Sequence, residues 1–379
     1  MRYKSLLLTL AVLLLACPAL AKDTIKVGAI LSVTGPGSFL GGPEARTMEM
    51  LAERVNAAGG VNGHQLELII KDSGGSPEKA ISFARQLIEE ERVFAILGPS
   101  TSGESLKIKN ICEEGETIML SCAAAELIVN PVAKWVFKTP QKDSHAAKKI
   151  FLEMQDMGVS KIAVVAGNTG FGKAGRQQLL DLAPQFGIQV VVDEVYDKGA
   201  TDLSAVVAKL MSHQDVQAVV NWSIVPAQAI IAKNMRQAGW DVPLFQSHGF
   251  GNIKYVEAAG AAAEGIIFPA GRLLVAEDLP ESHPQKALLL DYKNSYEARY
   301  GEPASTFGGH GYDAFMILVE GIEQAGPDKH EVRDAIEHLQ GFPGTGGIFN
   351  FSPQDHNGLD LDAFEMLTVK DGAFAIYGK

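Results

Sequence analysis

The sequence predicts an α/β protein made of two doubly wound, Rossmann-like lobes. Short apolar runs alternate with amphipathic stretches of helical period, the pattern of parallel strands covered by helices. The alternation pauses at Trp135-Val136-Phe137 and Pro140 and then restarts, so there are two series. The chain has 379 residues, with 39 glycines and only 7% aromatics, which suits two domains of ordinary size joined by many strand-to-helix turns. In open sheets of this kind ligands sit beyond the carboxyl ends of the strands.

Residues 1–21 read as an export signal. Arg2 and Lys4 are a basic start, and Ser5 to Ala16 is an apolar run too short for an ordinary transmembrane helix. Ala19-Leu20-Ala21 is a small-x-small cleavage site. Leu14-Leu15-Ala16-Cys17 reads alternatively as a lipobox, with Cys17 lipidated. Either way the protein works outside the inner membrane. The net charge of −12 becomes more negative once Arg2 and Lys4 are removed, which argues against nucleic acid and anionic lipid surfaces as partners.

In the first series, Thr24 to Leu31 is a strand and Gly35 to Pro43 a glycine-rich loop. A helix from Glu44 to Ala58 follows, with Met48, Leu51, Ala52 and Val55 on one face. Leu66 to Ile70 is a strand, and Ser76-Pro77-Glu78 opens a helix. Val93 to Leu97 is a buried strand leading through Gly98-Pro99 to Ser100-Thr101-Ser102 at the start of the next helix. Strand Thr117 to Ser121 leads to the turn Cys122-Ala123-Ala124-Ala125. In the second series, helices are expected at Ser144 to Met157, Lys173 to Phe186, after Thr201 or Asp202, and at Pro226 to Ala238. Strands are expected at Ile162 to Ala166, Val190 to Val195, Ala218 to Asn221, Leu244 to Gln246 and Gly265 to Phe268. Helices at Pro284 to Tyr300 and Gly309 to Gln324 precede a tail of antiparallel strands, Ile348 to Phe351, Phe364 to Val369 and Phe374 to Tyr377.

The stretch Val93 to Ser105 is the focus. A helix N-terminus leaves N–H groups unpaired and carries partial positive charge, a seat for a small carboxylate. The plainer alternative is that Ser100 to Ser102 only cap the helix. Catalytic and cofactor patterns are weak. Gly167 to Lys173 imitates a phosphate-binding loop, but Ala174 stands where Ser or Thr should hold magnesium. Neither a G-x-S-x-G elbow nor H-E-x-x-H spacing occurs. Cys112 and Cys122 are expected as free thiols, Cys122 near the cleft, and no cysteine motif for a metal is present. His310 is expected to be a packed or capping residue, and His248, at a strand's carboxyl end, a cleft residue. No cofactor and no metal are expected.

The export signal, the loop SVTGPGSFLGGPEARTMEML, the stretch NAAGGVNGHQLELIIKDSGGSPEKA, AILGPSTSGES and LSCAAAEL together resemble the periplasmic solute-binding proteins of the branched-chain amino acid class, the leucine/isoleucine/valine-binding type that serves ABC importers. The resemblance covers essentially the whole mature chain and rests on the order and spacing of its motifs. It implies the type I periplasmic binding protein fold, two lobes joined by a three-crossover hinge near Pro140, Pro269 to Gly271 and Gly344 to Gly347. Lobe 1 would then hold residues 22–140 and 271–345, and lobe 2 residues 141–270 and 346–379. It further implies a monomer in the periplasm, no enzymatic activity, and importer membrane permease subunits as partners. A ligand-sensing receptor domain and an exported hydrolase are the competing classes.

The resemblance also assigns a site. The ligand carboxylate would sit on Ser100-Thr101-Ser102 and on Ala123-Ala124-Ala125, with Ala125 standing where a Thr is usual. Phe171 and Ile224 stand where the family commonly has Tyr. His248 stands where a Glu pairs with the ligand ammonium. Burying an ammonium without a carboxylate partner costs several kcal/mol. The expected ligand is therefore a small carboxylate without an α-ammonium, an aromatic or hydroxyaromatic acid first. An apolar amino acid is the alternative, with Glu126 or Glu44 supplying the acid.

Overall fold

The structure is a computed structural model that describes residues 23–378. The first series forms β1 (Ile25–Leu31), α1 (Ser38–Ala57), β2 (Leu66–Asp72), α2 (Pro77–Arg85), β3 (Ala95–Leu97), α3 (Ser102–Glu114), β4 (Ile118–Ser121) and β5 (Val136–Lys138). Its sheet has the order β2-β1-β3-β4-β5 and every pairing is parallel. Alternate residues feed the two faces, as strand geometry requires. Val27, Ala29 and Leu31 enter one core with Met48 and Leu51 of α1, while Ile30 and Ile96 enter the other with Ala80, Ala84 and Ile108.

The second series forms α4 (Asp143–Asp156), β6 (Lys161–Gly167), α5 (Gly170–Leu182), β7 (Gln189–Tyr196), α6 (Ser204–Met211), β8 (Ala218–Trp222), α7 (Gln228–Gln237), β9 (Leu244–Gln246), α8 (Ile253–Ala259) and β10 (Ile267–Ala270). The chain then returns to the first lobe through α9 (Lys286–Tyr300), α10 (Thr306–Ala325), α11 (Lys329–Glu337) and the pair β11 (Phe342–Pro343) and β12 (Ile348–Phe349). It ends in β13 (Glu365–Lys370) and β14 (Ala373–Ile376). The second sheet has the order β14-β13-β10-β9-β8-β6-β7, parallel except where β13 joins antiparallel to β10 and β14. Ala163 and Val165 face one core, and Ile162, Val164 and Ala166 the other.

Several boundaries differ from the sequence expectation. The glycine-rich run is mostly helix. α1 begins at Ser38 and contains Pro43. A Cβ at Gly41 would lie 2.3 Å from the Ser32 backbone, so the glycines there permit close helix-on-strand packing rather than a loop. α5 starts at Gly170 because Thr169 caps it, its hydroxyl accepting from the Gly172 N–H at 3.0 Å. α10 starts at Thr306 because Ser305 caps it. α8 and α11 were not expected. Phe349, Phe351, Leu359 and Ala363 pack in the first core and Phe364 in the second, so core membership changes between Ala363 and Phe364 rather than at Gly344 to Gly347. The proposed signal, with Cys17, lies outside the described residues.

The two lobes touch across the cleft. Leu40 of α1 and Phe307 of α10 enter a core of the second lobe, and Ala174 of α5 packs with the first. A Cβ at Gly170 would lie 2.7 Å from the Gly103 nitrogen, so the starts of α3 and α5 meet almost backbone to backbone.

Candidate functional site

The strand ends converge on a small chamber between the two lobes. The first lobe supplies Ser100 after β3, Ser102 at the start of α3, Cys122, Ala123 and Ala124 after β4, and Pro140 after β5. Leu40, Phe307 and His310 reach it from α1 and α10. The second lobe supplies Phe171 of α5, Ile224 after β8, and His248 and Gly249 after β9. Leu40, Phe171 and Ile224 also line an outer vestibule of about 190 Å³, which Thr101, Gly103, Thr169 and Lys198 surround.

Gly98 aims the first wall. Its φ is +87°, a conformation that suits glycine, and a Cβ there would lie 2.4 Å from the Ile30 carbonyl oxygen. The turn delivers Ser100, but the Ser100 hydroxyl is engaged inside the protein. It donates to Glu44 and accepts from the Ser32 N–H at 3.0 Å. Thr101 caps α3: its Oγ1 accepts from the Glu104 N–H and donates to Glu104 Oε2 at 2.5 Å. Thr101 therefore faces the vestibule and not the chamber. Ala125 is fully buried and outside the lining. Its N–H donates to Ser102 Oγ at 3.2 Å. The Ser102 hydroxyl has no acceptor among the described residues, nor has the Ala124 N–H. Both are available as donors to an anion, beside the unpaired N–H groups of the first turn of α3.

The opposite wall is aromatic around a histidine. The His248 ring stands edge-on to Phe171, Trp222 and Phe364, with centroids 5.2, 5.5 and 5.5 Å away. Burial holds the His248 imidazole well below its ordinary pKa, with Lys138 and His310 adding to the effect. Its Nε2 lies 3.8 Å from Asp143 Oδ1, beyond hydrogen-bond distance. Burial also holds His310 down, to about 3, again with Lys138 contributing. Both rings are therefore neutral near pH 7.

His310 is buried against Phe307, as a packed residue would be, but packing is not its whole role. It lines the chamber, and its Nδ1 has no partner. Beneath the hinge, buried Lys138 donates through Nζ to the carbonyls of Pro140 and Gln141, at 2.7 and 3.0 Å. Burial raises the Asp143 carboxyl, which Lys138 partly offsets, and neither Asp143 oxygen is hydrogen-bonded.

Neither acid offered as a substitute partner for an ammonium lines the chamber. Glu44 lies behind Ser100, pushed up to about 8 by burial, which the Ser100 hydrogen bond only partly opposes. Leu40, Phe307 and His310 went unnoticed as site residues because each is carried in by a helix rather than a strand end. The phosphate-loop imitation is a capped helix start with Lys173 exposed. Cys112 and Cys122 are buried free thiols, and Cys122 lines the chamber. No metal-holding cluster of His, Cys, Asp or Glu occurs among the described residues.

Two doubly wound sheets closed over a chamber at their strand ends define a type I periplasmic binding protein, a class of solute-binding proteins. Residues 24–372 match the family described as Periplasmic binding protein, and the chain belongs to that family, in its branched-chain amino acid transporter type. A similar relative is the leucine-, isoleucine-, valine-, threonine- and alanine-binding protein of Pseudomonas aeruginosa. It is 27% identical over 370 residues, covering 96% of this chain and 95% of the relative. An extracellular ligand-binding receptor from Rhodopseudomonas palustris superposes with a TM-score of 0.88 at 26% identity, covering 94% of this chain and all of that one. The branched-chain amino acid transporter substrate-binding protein of Streptococcus pneumoniae, solved with isoleucine, has the same fold. Its TM-score is 0.82 at 24% identity, with 93% and 97% of the two chains covered. No helix among the described residues is long and apolar enough to cross a membrane.

Proposed function

We propose that this protein is the periplasmic substrate-binding component of an ABC importer and that it captures a small carboxylate without an α-ammonium, an aromatic acid first. The observation that carries this reading is the chamber lining, which contains no acidic side chain. The ligand carboxylate would take the Ser102 hydroxyl and the Ala124 N–H beside the start of α3. The body of the ligand would lie among Phe171, Ile224, Leu40 and Phe307. An ammonium buried here would face two neutral imidazoles and no carboxylate, at a cost of several kcal/mol.

Capture works by closure. The lobes seal the chamber, and a ligand shifts the open–closed equilibrium by as much as it prefers the closed form. The closed monomer then presents the ligand to the permease subunits and does no chemistry on it. Residues 1–21 direct export and are removed, or Cys17 is lipidated. The hinge strands pass near Pro140, near Pro269 to Gly271, and after Ala363. The second reading, an apolar amino acid, has support in the name of the Pseudomonas aeruginosa relative.

A thermal-shift screen of ligand-stripped mature protein against aromatic acids and leucine, isoleucine and valine, followed by calorimetry, decides between them. A ligand at about 100 times its dissociation constant adds roughly 2.7 kcal/mol of stability. A response to aromatic acids and none to leucine supports the proposal. A response to the branched-chain amino acids alone overturns it.

A further inference from the structure

The chamber holds two imidazoles that the carboxylate reading leaves idle. Both ring nitrogens of His248 and Nδ1 of His310 are buried without a hydrogen-bond partner. Such atoms are rare in folded proteins, and each one left unmade costs free energy. The neighbours do not supply the partner. Asp143 is 3.8 Å from His248, and the rings of Phe171, Trp222 and Phe364 enclose the imidazole without offering an oxygen. Phe307 flanks His310, with centroids 6.4 Å apart.

The chemistry of a fitting group follows from these partners. A neutral imidazole presents one donor and one acceptor. A second carboxylate only accepts, and it would be buried near Asp143, with the Lys138 ammonium already turned to two carbonyls. An ammonium only donates, and Lys138 would repel it. A hydroxyl both donates and accepts, carries no charge, and suits two neutral rings.

We propose that the chamber takes a ring-bearing acid with a hydroxyl group, and that the hydroxyl seats on His248 and His310 while the carboxylate takes Ser102 and Ala124. His310 becomes a specificity-determining residue, joined with His248 from the other lobe. Because the two rings come from different lobes, the hydroxyl would bridge the closed cleft. The inference rests on the carboxylate reading above.

Calorimetry on ligand-stripped protein tests it with benzoate, the three hydroxybenzoate isomers, 4-methoxybenzoate and leucine. A site built for a hydroxyl leaves its polar atoms unpaired when the hydroxyl is missing, a penalty of about tenfold or more in affinity. The expected result is one hydroxybenzoate isomer binding at least about tenfold tighter than benzoate. His310→Phe should bring that ratio toward one, and His310→Gln, which keeps a donor and an acceptor, should restore part of it. Equal affinity for benzoate and all three isomers overturns the inference and leaves the carboxylate reading standing. Binding of leucine with no aromatic acid bound overturns both. The ratio for the unmodified protein decides even where a variant fails to fold.

Discussion

Asn252 donates its side-chain amide to the carbonyl oxygen of Phe39 at 3.0 Å. That carbonyl is free because the residue four positions on is Pro43, which has no N–H to return to it. A proline inside α1 of the first lobe thus exposes an acceptor that the second lobe uses. The Phe39 ring also meets Tyr255 edge-on, with centroids 5.3 Å apart. The contact joins the two lobes, so opening the cleft would break it and it should act on affinity through closure. Asn252 also caps α8, its Oδ1 accepting from the Lys254 N–H at 3.0 Å. Asn252→Asp keeps that cap and removes the donor to Phe39. Ligand binding should weaken by about 5- to 30-fold, the worth of one buried hydrogen bond with an unpaired acceptor left behind. The unliganded unfolding midpoint should change little. Calorimetry and denaturant titration measure the two.

Gly170 faces Gly103 across the cleft, and a Cβ there would come within 2.7 Å of a backbone nitrogen that has no flexible end to yield. Gly170→Ala should therefore obstruct closure while leaving each lobe intact. Overpacking of this kind costs about 1 to 3 kcal/mol, on the order of tenfold or more in affinity. Small-angle scattering in saturating ligand should show a larger radius of gyration for the variant than for the unmodified protein.

Ser100 and Ser102 stand two residues apart and do different work. Ser102→Ala removes a donor with no internal acceptor, so it should lower carboxylate affinity, and it leaves the Ala125 N–H unpaired, at a cost of about 1 kcal/mol in folding stability. Ser100→Ala strips Glu44 of a buried donor and leaves the Ser32 N–H unpaired. It should lower folding stability by about 1 to 3 kcal/mol. Equal affinity losses in the two variants would show that both hydroxyls face the ligand.

Burial raises the Glu44 carboxyl from 4.5 to about 8. Between those values the folded protein holds a proton that the unfolded chain has released. Stability from this group is therefore undiminished below about pH 4.5 and falls as pH rises toward 8, because the folded state binds more protons there. Asp313, raised to about 7 by burial against hydrogen bonds from Thr345 and Gly346, acts with the same sign. Glu44→Gln retains an oxygen for Ser100 and removes the titration. Urea unfolding at pH 5 and pH 8 should show a smaller fall in stability for this variant than for the unmodified protein. The difference should be on the order of a few kcal/mol.

The alternation of runs made the two parallel sheets legible, because the strands are buried on both faces and the helices carry a single apolar stripe. The strand ends that surround the chamber were legible for the same reason. The start of α1 was not. Glycine and proline usually break helices, and here close packing on Ser32 admits the glycines while a partner from the other lobe uses the carbonyl freed by Pro43. α11 carries its own local signal, Asp328 as its cap with Val332 and Ile336 at helical spacing. The roles of Ser100, Thr101 and Ser102 could not be separated from sequence, because Glu44 and Ser32 decide which hydroxyl is spent internally. His310 could not be found, because nothing near it in the chain shows that α10 is aimed into the cleft.

Trp222 is fully buried at the end of β8, its indole 5.5 Å from His248 and 5.7 Å from Phe171. Trp135 lies in the first lobe's core, and Trp240 is half-buried after α7. Only one of the three indoles stands against the chamber wall. Filling the cleft should change the surroundings of that indole, so its emission is expected to serve as an optical gauge of ligand capture, readable without any attached dye.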